Sequence, residues 1–234
     1  MQKKCKLKTA AAVFCGIILL IAGICVLMYP SVSDYYNRRH QTEVINSYAE
    51  QISAEDKTVL DSMWEQAQEY NAELKETGVP PENYFDILNV GGVMGYIEIP
   101  KISVYLPVYH TACEDVLQKG VGHIEASPVP VGGEGTHTLL TGHRGLPGAE
   151  LFTRLDELEE GDMFYIHVLD RTLTYKITHT AVIKPYEFEA LKPVCGKDLV
   201  TLITCTPYGL NSHRLLITGE RACEEGATAE PEIK

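Results

Sequence analysis

Eight residues separate Cys205 from Arg214 in the stretch T-L-I-T-C-T-P-Y-G-L-N-S-H-R-L-L, residues 201–216. Apolar and β-branched residues lead up to the cysteine and resume after the arginine, with Pro207 and Gly209 between them. That pattern reads as strand, loop, strand. If the two strands pair antiparallel, the thiol and the guanidinium face one another across the mouth of the loop. A thiol with a pKa of about 8.5 is mostly protonated at neutral pH, and a neighbouring cation favours the nucleophilic thiolate. Taken alone, a cysteine on a strand is more often a small apolar residue than a nucleophile.

A second stretch changes that balance. G-T-H-T-L-L-T-G-H-R-G, residues 135–145, is another strand, and it ends at His143 between Gly142 and Gly145. The glycines are expected to leave the imidazole accessible. A histidine and a cysteine at strand ends and an arginine at a strand start supply a proton shuttle, a nucleophile and an oxyanion stabiliser. Those are the parts of an acyl transfer.

The elements that must hold these residues are legible in outline. Beyond Gly91-Gly92, runs at residues 95–99, 102–109, 136–141, 163–168, 173–183, 199–205 and 215–219 are rich in Val, Ile, Thr and Tyr. Seven or more strands in one domain predict a closed barrel or a sandwich. Short helical turns are expected at residues 114–118 and 149–158. Upstream, Ile45, Tyr48, Ile52, Leu60, Met63, Ala67, Tyr70 and Leu74 recur at helical steps across residues 41–75. Thr77-Gly78 and Pro80-Pro81 end that helix, which serves either as a membrane-proximal stalk or as a helix docked on the barrel.

The chain has 234 residues and a net charge of −12, and its basic residues cluster at Lys3, Lys4, Lys6 and Lys8. The acidic remainder argues against a nucleic-acid partner. Residues 9–29 carry no charge, and 21 of them rise about 30 Å as a helix, enough to cross a bilayer core. The flanking charge predicts a cytoplasmic tail at 1–8, an uncleaved signal-anchor at 9–29, and an extracellular remainder with a helical region at 30–90, a barrel at 91–222 and a frayed acidic tail at 223–234. The seven cysteines show no C-x-x-C pair, so zinc has little support. The acidic run at 156–162 reads as a solvated turn in preference to a cation site.

The cysteine and histidine stretches together resemble the sortase signature T-L-x-T-C with its following arginine, and the family's histidine motif L-T-G-H-R-G. The likeness covers about residues 93–220. G-Y-I-E-I-P at 95–100 and V-G-G-E-G-T-H at 131–137 resemble the class C, pilus-assembling members most. This resemblance implies an all-β, closed eight-stranded barrel behind a helical segment and a transmembrane helix. It also implies a membrane-anchored cysteine transpeptidase that needs no metal and no cofactor. The family's nucleophile falls on Cys205, its general acid/base on His143 and its transition-state arginine on Arg214, while Thr204 is expected to line the substrate groove. The implied partners are proteins bearing an LPXTG-like sorting signal, cleaved between Thr and Gly through a thioester, and an amine acceptor. In class C members that amine is a pilin lysine; in a housekeeping sortase it belongs to peptidoglycan. Class C members usually carry an Asp-Pro-aromatic lid, and this chain has none. Residues 75–83 are followed instead by Tyr84 after Pro80-Pro81-Glu82-Asn83, so the lid is expected to be short or absent. An inactive barrel used as a surface binding module is the competing reading from another class. A papain-like or L,D-transpeptidase-like enzyme fits less well, since the flanks of Cys205 lack those families' patterns.

Overall fold

Helix α1 (Gln2–Ala54) opens the chain in this computed structural model, which describes residues 2–146 and 148–222, with side chains from residue 14 onward. Its apolar first part is exposed from Phe14 to Tyr29, and the helix is long and apolar enough to cross a membrane. It continues through Pro30, which forfeits one backbone N–H but does not end it. From Gln41 onward the helix is docked, with Gln41, Ile45, Tyr48 and Ile52 buried at three- and four-residue steps. Asp56, in an extended conformation with φ −69 and ψ 137, then breaks the chain before α2 (Lys57–Thr77). The continuous helical period over residues 41–75 is therefore two helices. Leu60, Trp64, Ala67, Tyr70 and Leu74 form the buried face of α2. Gly78 closes it in the left-handed region at φ 69, its N–H donating to the Leu74 carbonyl at 2.8 Å.

Eight strands follow: β1 (Gly95–Ile99), β2 (Val104–Tyr109), β3 (Val121–His123), β4 (Thr136–Thr141), β5 (Met163–Val168), β6 (Arg171–Ile183), β7 (Asp198–Thr206) and β8 (His213–Arg221). A short helix, α3 (Glu114–Leu117), lies between β2 and β3. The strands close as a barrel in the order β1-β2-β3-β4-β7-β8-β6-β5. Closure leaves no free sheet edge. Phe152, Phe164, Tyr175, Ile97, Leu140 and Leu202 are among the side chains buried in its core.

The helices belong to the same core. The Leu169 N–H donates to the Tyr48 hydroxyl at 2.7 Å, fixing the β5–β6 turn. Asn71 bonds both backbone groups of Val129, donating to its carbonyl at 3.0 Å and accepting from its N–H at 2.7 Å. The Pro80-Pro81 segment carries Tyr84 into a buried position. There its hydroxyl accepts from the Thr111 N–H at 3.0 Å and lies 2.9 Å from His123 Nδ1. This segment packs the region where a lid would begin onto the barrel wall.

Two pairings decide where the site forms. β4 runs parallel to β7, so both strands end at the same rim, and β8 runs antiparallel to β7, so it starts there.

Candidate active site

Cys205 is paired directly with Arg214 in the β7–β8 ladder. Directly opposed residues have Cα atoms about 4.5–5.5 Å apart and side chains on the same face. The β4–β7 ladder matches Leu140 with Leu202 and Thr141 with Ile203, and the Gly142 N–H extends it by donating to the Ile203 carbonyl at 3.1 Å. β4 ends two residues before His143 and β7 runs through Cys205, so both residues lie at the same end of the barrel. Thus the thiol, the imidazole and the guanidinium that the sequence separates by up to 71 positions share one rim of the barrel.

Several contacts fix that rim. The Thr204 hydroxyl donates to the Gly142 carbonyl at 2.8 Å. The guanidinium of Arg144, only 9% exposed, donates through Nη1 to Thr206 Oγ1 at 3.1 Å and pairs with Asp156 at 2.6 Å. The Phe152 N–H donates to the His143 carbonyl at 3.1 Å. The two glycines around His143 serve close packing. A Cβ on Gly142 would stand 2.8 Å from the Phe152 ring, and one on Gly145 would stand 2.7 Å from the Tyr208 ring. Gly145 also holds φ +76, a conformation that costs L side chains strain.

Thr204 is buried, with its hydroxyl engaged by Gly142. In this geometry it ties the strand of Cys205 to the strand that leads into His143, and its side chain presents no surface to a groove. Arg214 donates through Nη1 to the carbonyls of Asn211 at 3.2 Å and His213 at 3.1 Å. Both acceptors are neutral, so neither cancels its positive charge beside the thiol.

His143 Nε2 lies 3.2 Å from Glu114 Oε1, on α3. A carboxylate oxygen only accepts, so this nitrogen carries the hydrogen, and in the neutral ring Nδ1 is the unprotonated one. The Glu114 carboxyl is held below its ordinary value by the Gln118 side chain first and by His143 second. The pair is open to solvent and adds orientation more than energy.

Three of the other histidines are buried and engaged elsewhere. His110 bonds the Ile87 carbonyl at 2.8 Å, His123 lies between Tyr84 and Pro128, and His137 lies 2.6 Å from Thr201 Oγ1. The acidic run is paired with cations: Asp156 with Arg144, Glu157 with Arg154, and both Glu159 and Asp162 with Lys101. Cys113, Cys195 and Cys205 are free thiols, while Cys223 and the acidic tail lie outside the described residues.

Glu114, Arg144, Phe152 and Tyr208 are the participants that pattern reading does not single out. Arg144 sits inside the histidine motif and carries a faint signal. Glu114 has none, because its contact with His143 crosses 29 positions.

Residues 97–222 match the sortase domain family, so the chain belongs to the sortases, which are cysteine transpeptidases. It is 26% identical over 205 residues to Sortase A of Bacillus anthracis, covering 88% of this chain and 91% of that one. Among solved structures it is similar to a sortase C of Streptococcus pneumoniae at 45% identity and a TM-score of 0.73, covering 78% of this chain and 97% of that one. Sortase C1 of Streptococcus agalactiae aligns at 40% identity and a TM-score of 0.75, covering 78% of this chain and all of that one, 100%. Within the family its likeness is to the class C members, and the eight-stranded barrel expected from the motifs is the fold observed.

Proposed function

We propose that the chain is a membrane-anchored pilin polymerase acting on an LPXTG-like sorting signal. The reading rests on one observation above all, the direct pairing of Cys205 with Arg214 beside the end of the strand that leads into His143. The Cys205 thiolate attacks the carbonyl carbon of the threonine, and the negative charge moves to the carbonyl oxygen, where the Arg214 guanidinium donates to it. As this intermediate collapses, the Thr–Gly bond breaks and the departing glycine nitrogen takes a proton from His143. The product is a thioester on Cys205. An incoming amine then gives a proton to His143, attacks the thioester carbonyl and expels the thiolate, which restores the enzyme. The amine is a pilin lysine, a reading supported by the likeness to sortase C structures, among them the Streptococcus pneumoniae enzyme whose structure bears on pilin substrate specificity.

The anchor is the apolar part of α1, with the lysine-rich N-terminus in the cytoplasm and the barrel outside, as the charge flanking the stretch favours. Incubation of the protein with an LPXTG-type peptide, followed by intact mass measurement, tests the chemistry. The expected adduct ends in threonine and is absent from Cys205→Ala. Competition between a pilin-derived lysine peptide and a peptidoglycan stem mimic then tests the acceptor. Faster consumption of the thioester by the stem mimic would overturn the pilin reading while leaving the transpeptidase intact.

A further inference from the structure

Beside the site residues, the tip of the β7–β8 loop shows apolar surface that reaches out beyond the rim: Tyr208 is 62% exposed and Leu210 is 78% exposed. Isolated exposed apolar side chains are ordinary. These two differ because of what lies next to them. The Tyr208 ring is set over Gly145, and it lines a groove together with Pro30, Ser31 and Asp34 of α1. The wall of that groove is the loop after His143, held to α1 by a short run of contacts. Asn37 Nδ2 donates to the Gly148 carbonyl at 2.5 Å, the Glu150 N–H donates to Asp34 Oδ1 at 3.0 Å, and Arg38 pairs with Glu150.

Every one of these contacts falls within the first turns of α1 after its apolar stretch ends at Tyr29. From Tyr29 to Tyr36 the helix advances about 10 Å, and the polar layer on each side of a bilayer core is roughly 5–8 Å deep. Tyr29, Val32, Tyr35 and Tyr36 are exposed over this length. Aromatic residues of this kind concentrate at the level of the lipid headgroups. A loop fixed beside residues 30–38 is therefore at or just above that level.

We propose that the active-site rim rests on the same bilayer that α1 crosses, with Tyr208 and Leu210 seated in its headgroup layer. The occupant of this surface is lipid, and its continuity with the span selects it. The proposal rests on the reading of α1 as a span. It implies that the mouth formed by Cys205, His143 and Arg214 opens along the membrane surface, so substrates reach it from the side of the bilayer.

Tryptophan quenching by lipids brominated near the headgroup tests this in the full chain, reconstituted in phosphatidylcholine vesicles. The native Trp64, buried on α2 under Arg171, supplies the baseline. Tyr208→Trp and Leu210→Trp are both at exposed positions and leave the core alone. Tyr29→Trp reports on the span itself. Val79→Trp reports on the opposite barrel end, since Lys75 on the preceding helix contacts Glu134 just before β4. The emission added at 208 or 210 is expected to fall about twofold or more in brominated vesicles, as at position 29, while that added at 79 is unchanged. Quenching at 29 but at neither loop position overturns the proposal and spares the span. No quenching at 29 removes the span reading and the proposal with it.

Discussion

Thr204 and Gly142 are joined by a hydrogen bond of 2.8 Å, and each immediately precedes a site residue, Cys205 and His143. The bond makes the distance between sulfur and imidazole a property of the barrel, since it locks the ends of two parallel strands at the residues before them. Thr204→Val keeps the shape and removes the donor, leaving a buried carbonyl unpaired at a cost of about 1–3 kcal/mol. We expect kcat for peptide cleavage to fall more than KM rises, and Thr204→Ser to recover most of the loss. A rise in KM alone, with unchanged stability in urea, would instead assign Thr204 to substrate binding.

Gly142 offers a second test of the same geometry. A Cβ there meets Phe152 at 2.8 Å, and Phe152 is a fully buried ring whose N–H holds the His143 carbonyl. Overpacking of this kind typically costs about 1–3 kcal/mol. Gly142→Ala is expected to lower both the unfolding free energy and kcat. Gly142→Ala combined with Phe152→Leu should regain activity by making room, and an inactive double variant that is as stable as the parent would contradict this account.

Much of this site is legible in the sequence because its strongest element is local. Cys205 and Arg214 sit on two strands joined by a short loop, so the eight residues between them already imply the pairing. The histidine strand is also locally clear, at the same boundaries as β4. Its partnership with β7 is not, because a parallel ladder between residues about 62 positions apart leaves no periodic trace. β3 is too short, at three residues around Gly122, to show alternation. The break at Asp56 is hidden for a different reason: Ile52 and Leu60 both face the barrel, so the helical period carries across a gap where the backbone leaves the helix.

Glu114 sets a limit on how far the rim extends. Its carboxylate lies 3.2 Å from the His143 ring, yet it is open to solvent, where such pairs are weak and screened by salt. Glu114→Gln is therefore expected to lower kcat/KM by no more than about fivefold at low ionic strength, and by less at high salt. A loss of about a thousandfold, insensitive to salt, would make Glu114 an essential partner of the imidazole.

His123 gives the barrel a defined acid sensitivity. The ring is fully buried, and burial pushes it down to about 4. The Pro128 carbonyl, 2.9 Å from Nε2, can only accept, so Nε2 carries the hydrogen and Nδ1 accepts from the Tyr84 hydroxyl at 2.9 Å. The folded state thus holds a neutral ring, whereas the unfolded chain binds a proton below about pH 6.5. Between those two values the unfolded state holds more protons, so stability falls as pH falls, by about 3 kcal/mol in all from this residue. Burial shifts His110, His137 and His167 in the same direction, which steepens the decline. Urea unfolding from pH 7.5 to 4 should show this slope, and His123→Gln should be less stable at pH 7.5 but flatter in pH. Parallel curves for the two proteins would mean that the buried ring does not resist protonation.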